Sequence, residues 1–171
     1  MRNVKIAFLA LTAVVTLTTL FIRVPLPSRG YFNFGDVAVI FSGLVLGSLG
    51  GRKGFVWGAA AGGVGSALAD IIGGFGLFAP ITLLAKGAEG ALAAWASGKV
   101  TLLHWGYLIL GGSAMVAVYF VAETLMPNIG LQGALAELVP NLIQAGGGIA
   151  GGRLTFAAFD RITGSEQAVG H

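Results

Sequence analysis

Residues 34–72 read FGDVAVIFSGLVLGSLGGRKGFVWGAAAGGVGSALADII. Two apolar runs stand here, at about 34–49 and 55–72. Gly50-Gly51-Arg52-Lys53 separates them and Gly73-Gly74 closes the second. Each run approaches the roughly 17–25 apolar residues a helix needs to cross a bilayer core. The pair predicts two membrane-crossing helices joined by a short basic turn.

The same pattern repeats on either side. An apolar run at about 4–22 ends at Arg23, Pro25 and Pro27. Others at about 77–96 and 103–126 end at Ser97-Gly98-Lys99 and Pro127-Asn128. The last, about 131–159, is longer and is interrupted at Gly146-Gly147-Gly148. The N-terminal run has the basic start of a signal peptide. It is long and lacks a convincing small-residue cleavage site, so it reads as the first helix. The predicted fold class is an all-α membrane protein. It has one domain over residues 1–171, six transmembrane helices and a first external loop at about 23–35.

Composition excludes the other classes. The 171 residues amount to about one domain. They are 56% hydrophobic and 10% charged, where a soluble domain has roughly 25% charged residues. Mean hydropathy is +0.86, leaving too little polar surface to cover a water-facing globule. Disorder requires the opposite balance. The 29 glycines follow no collagen period. With no cysteine, disulfides, thiolate metal sites and cysteine nucleophiles are excluded. The net charge of +3 and pI near 9.6 come from ten dispersed basic residues, which suits basic cytoplasmic loops better than nucleic acid.

The chemistry-bearing motifs are few. No G-x-x-x-x-G-K-[ST] loop is present to cradle ATP. Gly74-Phe-Gly-Leu-Phe-Ala79 matches a loose dinucleotide fingerprint, but it lies between two membrane spans and follows no strand. The two histidines, His104 and His171, fall in a loop and at the tail, which argues against a histidine metal site or triad. The reading is therefore a non-enzyme without cofactor or metal.

Six spans put both termini on one side. Arg2, Lys5, Arg52, Lys53, Lys99, Arg153 and Arg161 share that side, and only Arg23 and Arg29 lie opposite. Basic residues mark the cytoplasm, so both termini are expected inside. The glycine pairs Gly43/Gly47/Gly51, Gly58/Gly62, Gly147/Gly151 and Gly148/Gly152 read as packing positions, where small residues let backbones approach in lipid.

Ionisable groups within spans are functional candidates by default. With this orientation Asp36, Asp70, Glu123 and Glu137 gather toward the outer face. Glu137, Asn141 and Gln144 fall at i, i+4, i+7 on one helical face, with Pro140 between them. Tyr119 and Glu123 fall at i, i+4 in the fifth helix. Such amides, acids and a phenol can form an outward hydrogen-bonding pocket for a small polar ring. They also suit helix-to-helix bonding. Asp70, Lys86 and Glu89 read first as a structural charge cluster, because an unpaired lysine at that depth is costly. The first loop carries Tyr31, Phe32, Asn33 and Phe34 and reads either as a lid over the pocket or as an interfacial aromatic belt.

Taken in order, several stretches resemble a known family. They are Pro25-Leu-Pro, Gly30-Tyr-Phe-Asn-Phe-Gly-Asp36, Leu46-Gly47 and Gly65-Ser-Ala-Leu-Ala-Asp70. Phe78-Ala-Pro-Ile-Thr-Leu-Leu-Ala-Lys86-Gly-Ala-Glu89-Gly90 and Pro140-Asn-Leu-Ile-Gln144 complete the series. Over residues 5–155 the chain resembles the substrate-binding S component of energy-coupling factor (ECF) transporters, in the branch with riboflavin-type and hydroxymethylpyrimidine-type members. The resemblance implies a multi-pass subunit in a prokaryotic plasma membrane. It would bind a vitamin or precursor, such as hydroxymethylpyrimidine, riboflavin or pyridoxine, from outside. It would then dock on a membrane T component driven by two cytoplasmic ATPases. The substrate-binding set expected is Asn141, Gln144, Glu137, Tyr119, Glu123, Tyr31, Asn33 and Lys86. Ala7, Ala10 and Ala13 follow one another at i+3 steps rather than in the family's alanine-xxx-alanine docking pattern. The alternatives are a stand-alone secondary transporter or channel working without ATPases, and a structural membrane-assembly protein.

Overall fold

A computed structural model describes residues 2–25 and 31–169. Six α-helical segments dominate: α1 (Arg2–Phe21), α2 (Gly35–Gly50), α3 (Gly54–Ile72), α4 (Ala79–Ala96), α5 (Thr101–Leu125) and α6 (Gly130–Val169). A 3-10 turn, Gly51–Lys53, joins α2 to α3. Between α1 and α2, β1 (Arg23–Pro25) pairs antiparallel with β2 (Tyr31–Asn33), with Arg23 opposite Asn33. This small hairpin was not expected in the first loop, whose strands are too short to show an alternating pattern.

The helices alternate in direction. Glycines on α3 report it, because a Cβ at Gly54 would meet Gly47 and one at Gly62 would meet Val39. Positions therefore run oppositely along α2 and α3. Likewise Gly58 lies against Gly90 and Gly63 against Leu83, which sets α3 antiparallel to α4. Gly111 against Leu92 and Thr82 against Tyr119 do the same for α4 and α5. By contrast α6 runs parallel to α2, with Gly148 on Asp36 and Gly152 on Ile40. The β-hairpin and the turns at 73–78 and 126–129 therefore share one end of the bundle. The 51–53 turn and the 97–100 turn share the other.

The core sits where these backbones approach. Ile40, Leu44, Ala93, Ala96 and Leu108 form one buried cluster, and Leu11, Val45, Leu46 and Ala61 another. The outer surface is apolar instead of charged, with Leu9, Ile71, Leu84, Leu102, Leu125 and Leu154 exposed. A bilayer would cover such a surface; water would not. By length and composition three helical stretches among the described residues can cross a membrane: Asn3–Phe21, the stretch Gly35–Ile72 that α2, the 3-10 turn and α3 make up, and Thr101–Leu125. α4 and α6 do not reach that apolarity, and between them they carry the buried Thr82, Lys86, Glu89, Glu137 and Gln144.

One expectation needs correction. The last helix is not interrupted at Gly146-Gly147-Gly148; α6 is helical from Gly130 to Val169. In lipid a broken helix would leave backbone groups unsatisfied. Packing also uses the glycines there, since a side chain at Gly148 or Gly152 would collide with Asp36 or Ile40.

Candidate functional site

A cavity opens near the hairpin end. Residues about one helical turn apart on α3, α4, α5 and α6 form most of its wall. α1 supplies Thr19, and α3 supplies Ser66 and Asp70. α4 supplies Thr82 and Lys86, with Phe78 just before it. α5 supplies Tyr119 and Glu123, and α6 supplies Glu137, Asn141 and Gln144. Asn33 of β2 completes the lining. Of the eight residues expected from sequence, seven line this one cavity: Asn141, Gln144, Glu137, Tyr119, Glu123, Asn33 and Lys86. The Tyr31 side chain lies outside the described side chains, and residues 26–30 of the loop lie outside the described residues.

The polar groups are not equivalent. Gln144 is engaged with the protein: its Oε1 accepts from the Asn33 backbone N–H at 2.9 Å, and its Nε2 donates to Asp36 Oδ1 at 3.1 Å. Asn33 Oδ1 accepts from the Gly35 N–H at 2.5 Å, at the entry of α2. The Thr82 and Tyr119 hydroxyls bond each other at 2.9 Å. The side chain of Asn141, on the same face as Gln144, makes no hydrogen bond to another described residue. Thr19 Oγ1, Ser66 Oγ and Glu123 Oε2 are buried and likewise have no hydrogen-bond partner among the described residues.

Lys86 is 3% exposed, too deep to stand without counter-charge. Its ammonium is paired with Asp36 and lies 3.5 Å from Glu89 Oε2. It also sits 5.7 Å from the Tyr119 ring centroid. The Lys86–Glu89 contact of the charge cluster read from sequence is present, and Asp36, on α2, is added to it as the main partner of Lys86. That pairing joins residues 50 positions apart, which no local periodicity reports. Asp70 lines the same cavity as Lys86.

Sequence reasoning missed Thr19, Ser66, Phe78 and Thr82 as lining residues. Ser66/Asp70 and Thr82/Lys86 repeat the i, i+4 polar spacing that drew attention to α5 and α6. That criterion would have found them. Thr19 is one of several threonines on α1 and carries no such signal. Among the described residues no group of histidine, aspartate and glutamate is arranged to hold a metal ion.

Comparisons with known proteins agree with this picture. Residues 2–160 match the family described as the S component of the ECF-type riboflavin transporter. A Pyrococcus woesei protein described as "Uncharacterized protein in gap 3'region" is 40% identical over 154 residues. The match covers 86% of this chain and 96% of that protein.

Proposed function

Because this chain belongs to the family of ECF-type riboflavin transporter S components, we propose that its hairpin-end cavity is the high-affinity site for a vitamin or vitamin precursor. The ligand is a small heterocycle of the riboflavin, hydroxymethylpyrimidine or pyridoxine kind. The chain crosses the membrane six times with both termini cytoplasmic, so the cavity opens outward. A T component and two ATPases drive release inside. The absence of a phosphate-cradling loop from the sequence fits that division of labour.

The observation that carries this reading is the cavity wall itself. Buried polar atoms on three helices face one space without hydrogen-bond partners among the described residues. Such atoms are costly unless something bonds them. Asn141, Glu123, Glu137 and Tyr119 contact the ligand. Gln144, Asn33 and Lys86 hold the wall in place.

Equilibrium binding to the chain purified in detergent, with mass spectrometry of any released small molecule, tests the site. Co-purification with a T component and ATPases tests the assembly. Accumulation of substrate by the chain alone in ATP-free vesicles would defeat it. Cysteines at Asn128 and Thr101 should label from outside and inside respectively; the reverse pattern would turn the cavity to the cytoplasm.

A further inference from the structure

The charges of this chain are sorted by end. Asp36 stands in the first turn of α2, and Asp70, Glu123 and Glu137 in the cavity wall, all toward the hairpin, while Glu89 is taken up with Lys86. Among the acids whose side chains are described, only Asp160, exposed on α6, lies elsewhere. The opposite end is basic. Arg52 and Lys53 belong to the turn between α2 and α3, and Lys99 to the turn between α4 and α5, and all three are exposed. None of them makes a salt bridge or a side-chain hydrogen bond to a described residue.

The backbones bring these two turns together. A Cβ at Gly54 would lie 2.7 Å from the Gly47 Cα, and one at Gly47 would lie 2.8 Å from the Ser97 Cβ. Lys53 directly precedes Gly54 and Lys99 closely follows Ser97, so the three cations rise from adjoining backbone. Lys5 of α1, also exposed, is at the same end, since the Phe8 and Trp57 rings meet at 5.1 Å. Clustered like charges with no acid among them draw counter-charge from outside the chain.

Next to the cations the surface is aromatic. All three tryptophans, Trp57, Trp95 and Trp105, stand beside these two turns. Phe55, Trp95 and Tyr107 form a row across α3, α4 and α5, with ring centroids 5.2 and 6.2 Å apart. Phe55 and Trp95 are exposed, and so are Val100 and Leu102 beside Lys99. Tryptophan and tyrosine favour the headgroup level of a bilayer, which puts the basic turns where lipid phosphates lie.

We infer that this end of the bundle is a binding site for an anionic phospholipid. Its phosphate sits among Arg52, Lys53 and Lys99, and its acyl chains lie along the Phe55–Trp95–Tyr107 row. A soluble anion would use the cations alone and leave the rings beside them uncovered; a lipid uses both. The anionic cytoplasmic leaflet attracts basic groups at a membrane surface. This inference goes beyond the substrate-site reading and does not depend on it.

The test reconstitutes the full chain in vesicles of four parts phosphatidylcholine to one of phosphatidylglycerol, with the acyl chains of one lipid or the other brominated. Bromine quenches tryptophan fluorescence on contact, and every tryptophan of this chain reports on the patch. Phosphatidylglycerol should be enriched around the tryptophans about fivefold or more over its share of the vesicle. Arg52→Gln, Lys53→Gln and Lys99→Gln together should remove the enrichment, and a melting curve shows that the variant folds. Quenching in proportion to bulk composition, or an enrichment that survives the triple substitution, would overturn the inference and leave the patch to an acidic protein partner. Loss of the enrichment on adding soluble glycerol phosphate would make this a site for free anions and overturn it equally. Both leaflets of these vesicles carry the anionic lipid, so the result stands whichever way the chain inserts and whatever the cavity binds.

Discussion

The two ends of this bundle bury their helices by opposite means. Toward the 51–53 turn, Gly47 meets Gly54, Gly58 meets Gly90 and Gly43 meets Ala93, so that backbones touch and nothing is left between them. Toward the hairpin, threonine, serine, acids and amides occupy the facing positions and hold the helices apart around a cavity. Close backbone approach gives dispersion contacts in lipid, where apolar burial has no driving force. Polar side chains give up that contact for directional groups. The contrast suggests that stability is concentrated in the first region and recognition in the second, with the Lys86 triad as the seam. The Lys86 carbonyl lies against Gly62, while its ammonium reaches Asp36 and Glu89.

Breaking the seam should have the largest effect. Lys86→Met strands two buried carboxylates, and removing one partner of a buried ion pair costs about 3–5 kcal/mol. A melting curve in detergent should show a large destabilisation. Adding Asp36→Asn and Glu89→Gln should recover most of it. A small loss that these additions do not reverse would mean the triad is not what ties the two ends together.

Next comes the glycine end. A side chain at Gly90 meets the Gly58 carbonyl, so Gly90→Val should cost roughly 1–3 kcal/mol by overpacking. Ligand affinity in the folded fraction should stay near wild type. Affinity lost in step with stability would erase the division between the ends.

Within the cavity the contrast narrows to two amides on one face. Asn141→Ala should weaken ligand binding roughly ten- to hundredfold, with little change in melting temperature, because its amide has no described protein partner. Gln144→Ala strands the buried Asn33 N–H and should cost about 1–3 kcal/mol of stability. Titration and melting of both variants read the two effects separately. The opposite assignment would make Asn141 the helix-to-helix bond and Gln144 the ligand contact.

Ser66→Ala should give the smallest effect. Its hydroxyl is buried but has no described partner, so stability should move by less than about 0.5 kcal/mol. Affinity should fall several-fold, since a typical hydrogen bond contributes about 0.5–1.5 kcal/mol. A clear drop in melting temperature would place that hydroxyl in the packing instead.

The helices were legible in the sequence because their cause is local. Apolar composition and the breakers at 50–53, 73–74, 97–99 and 127–128 set their ends, and the expected run 34–49 becomes α2, Gly35–Gly50. Spacing along one helix also put Glu137, Asn141 and Gln144 on a common face, since rotation per residue is a property of the helix alone. What each group on that face meets depends on other helices. Only the tertiary structure paired Lys86 with Asp36, gave Gln144 to the Asn33 backbone and left the Asn141 side chain without a hydrogen bond among the described residues. It also kept α6 continuous through Gly146-Gly147-Gly148, where the pattern alone suggested a break. Periodicity along a chain tells which way a side chain points, whereas its partner is set by how neighbouring helices align, and residues 50 to 111 positions apart supplied those partners here.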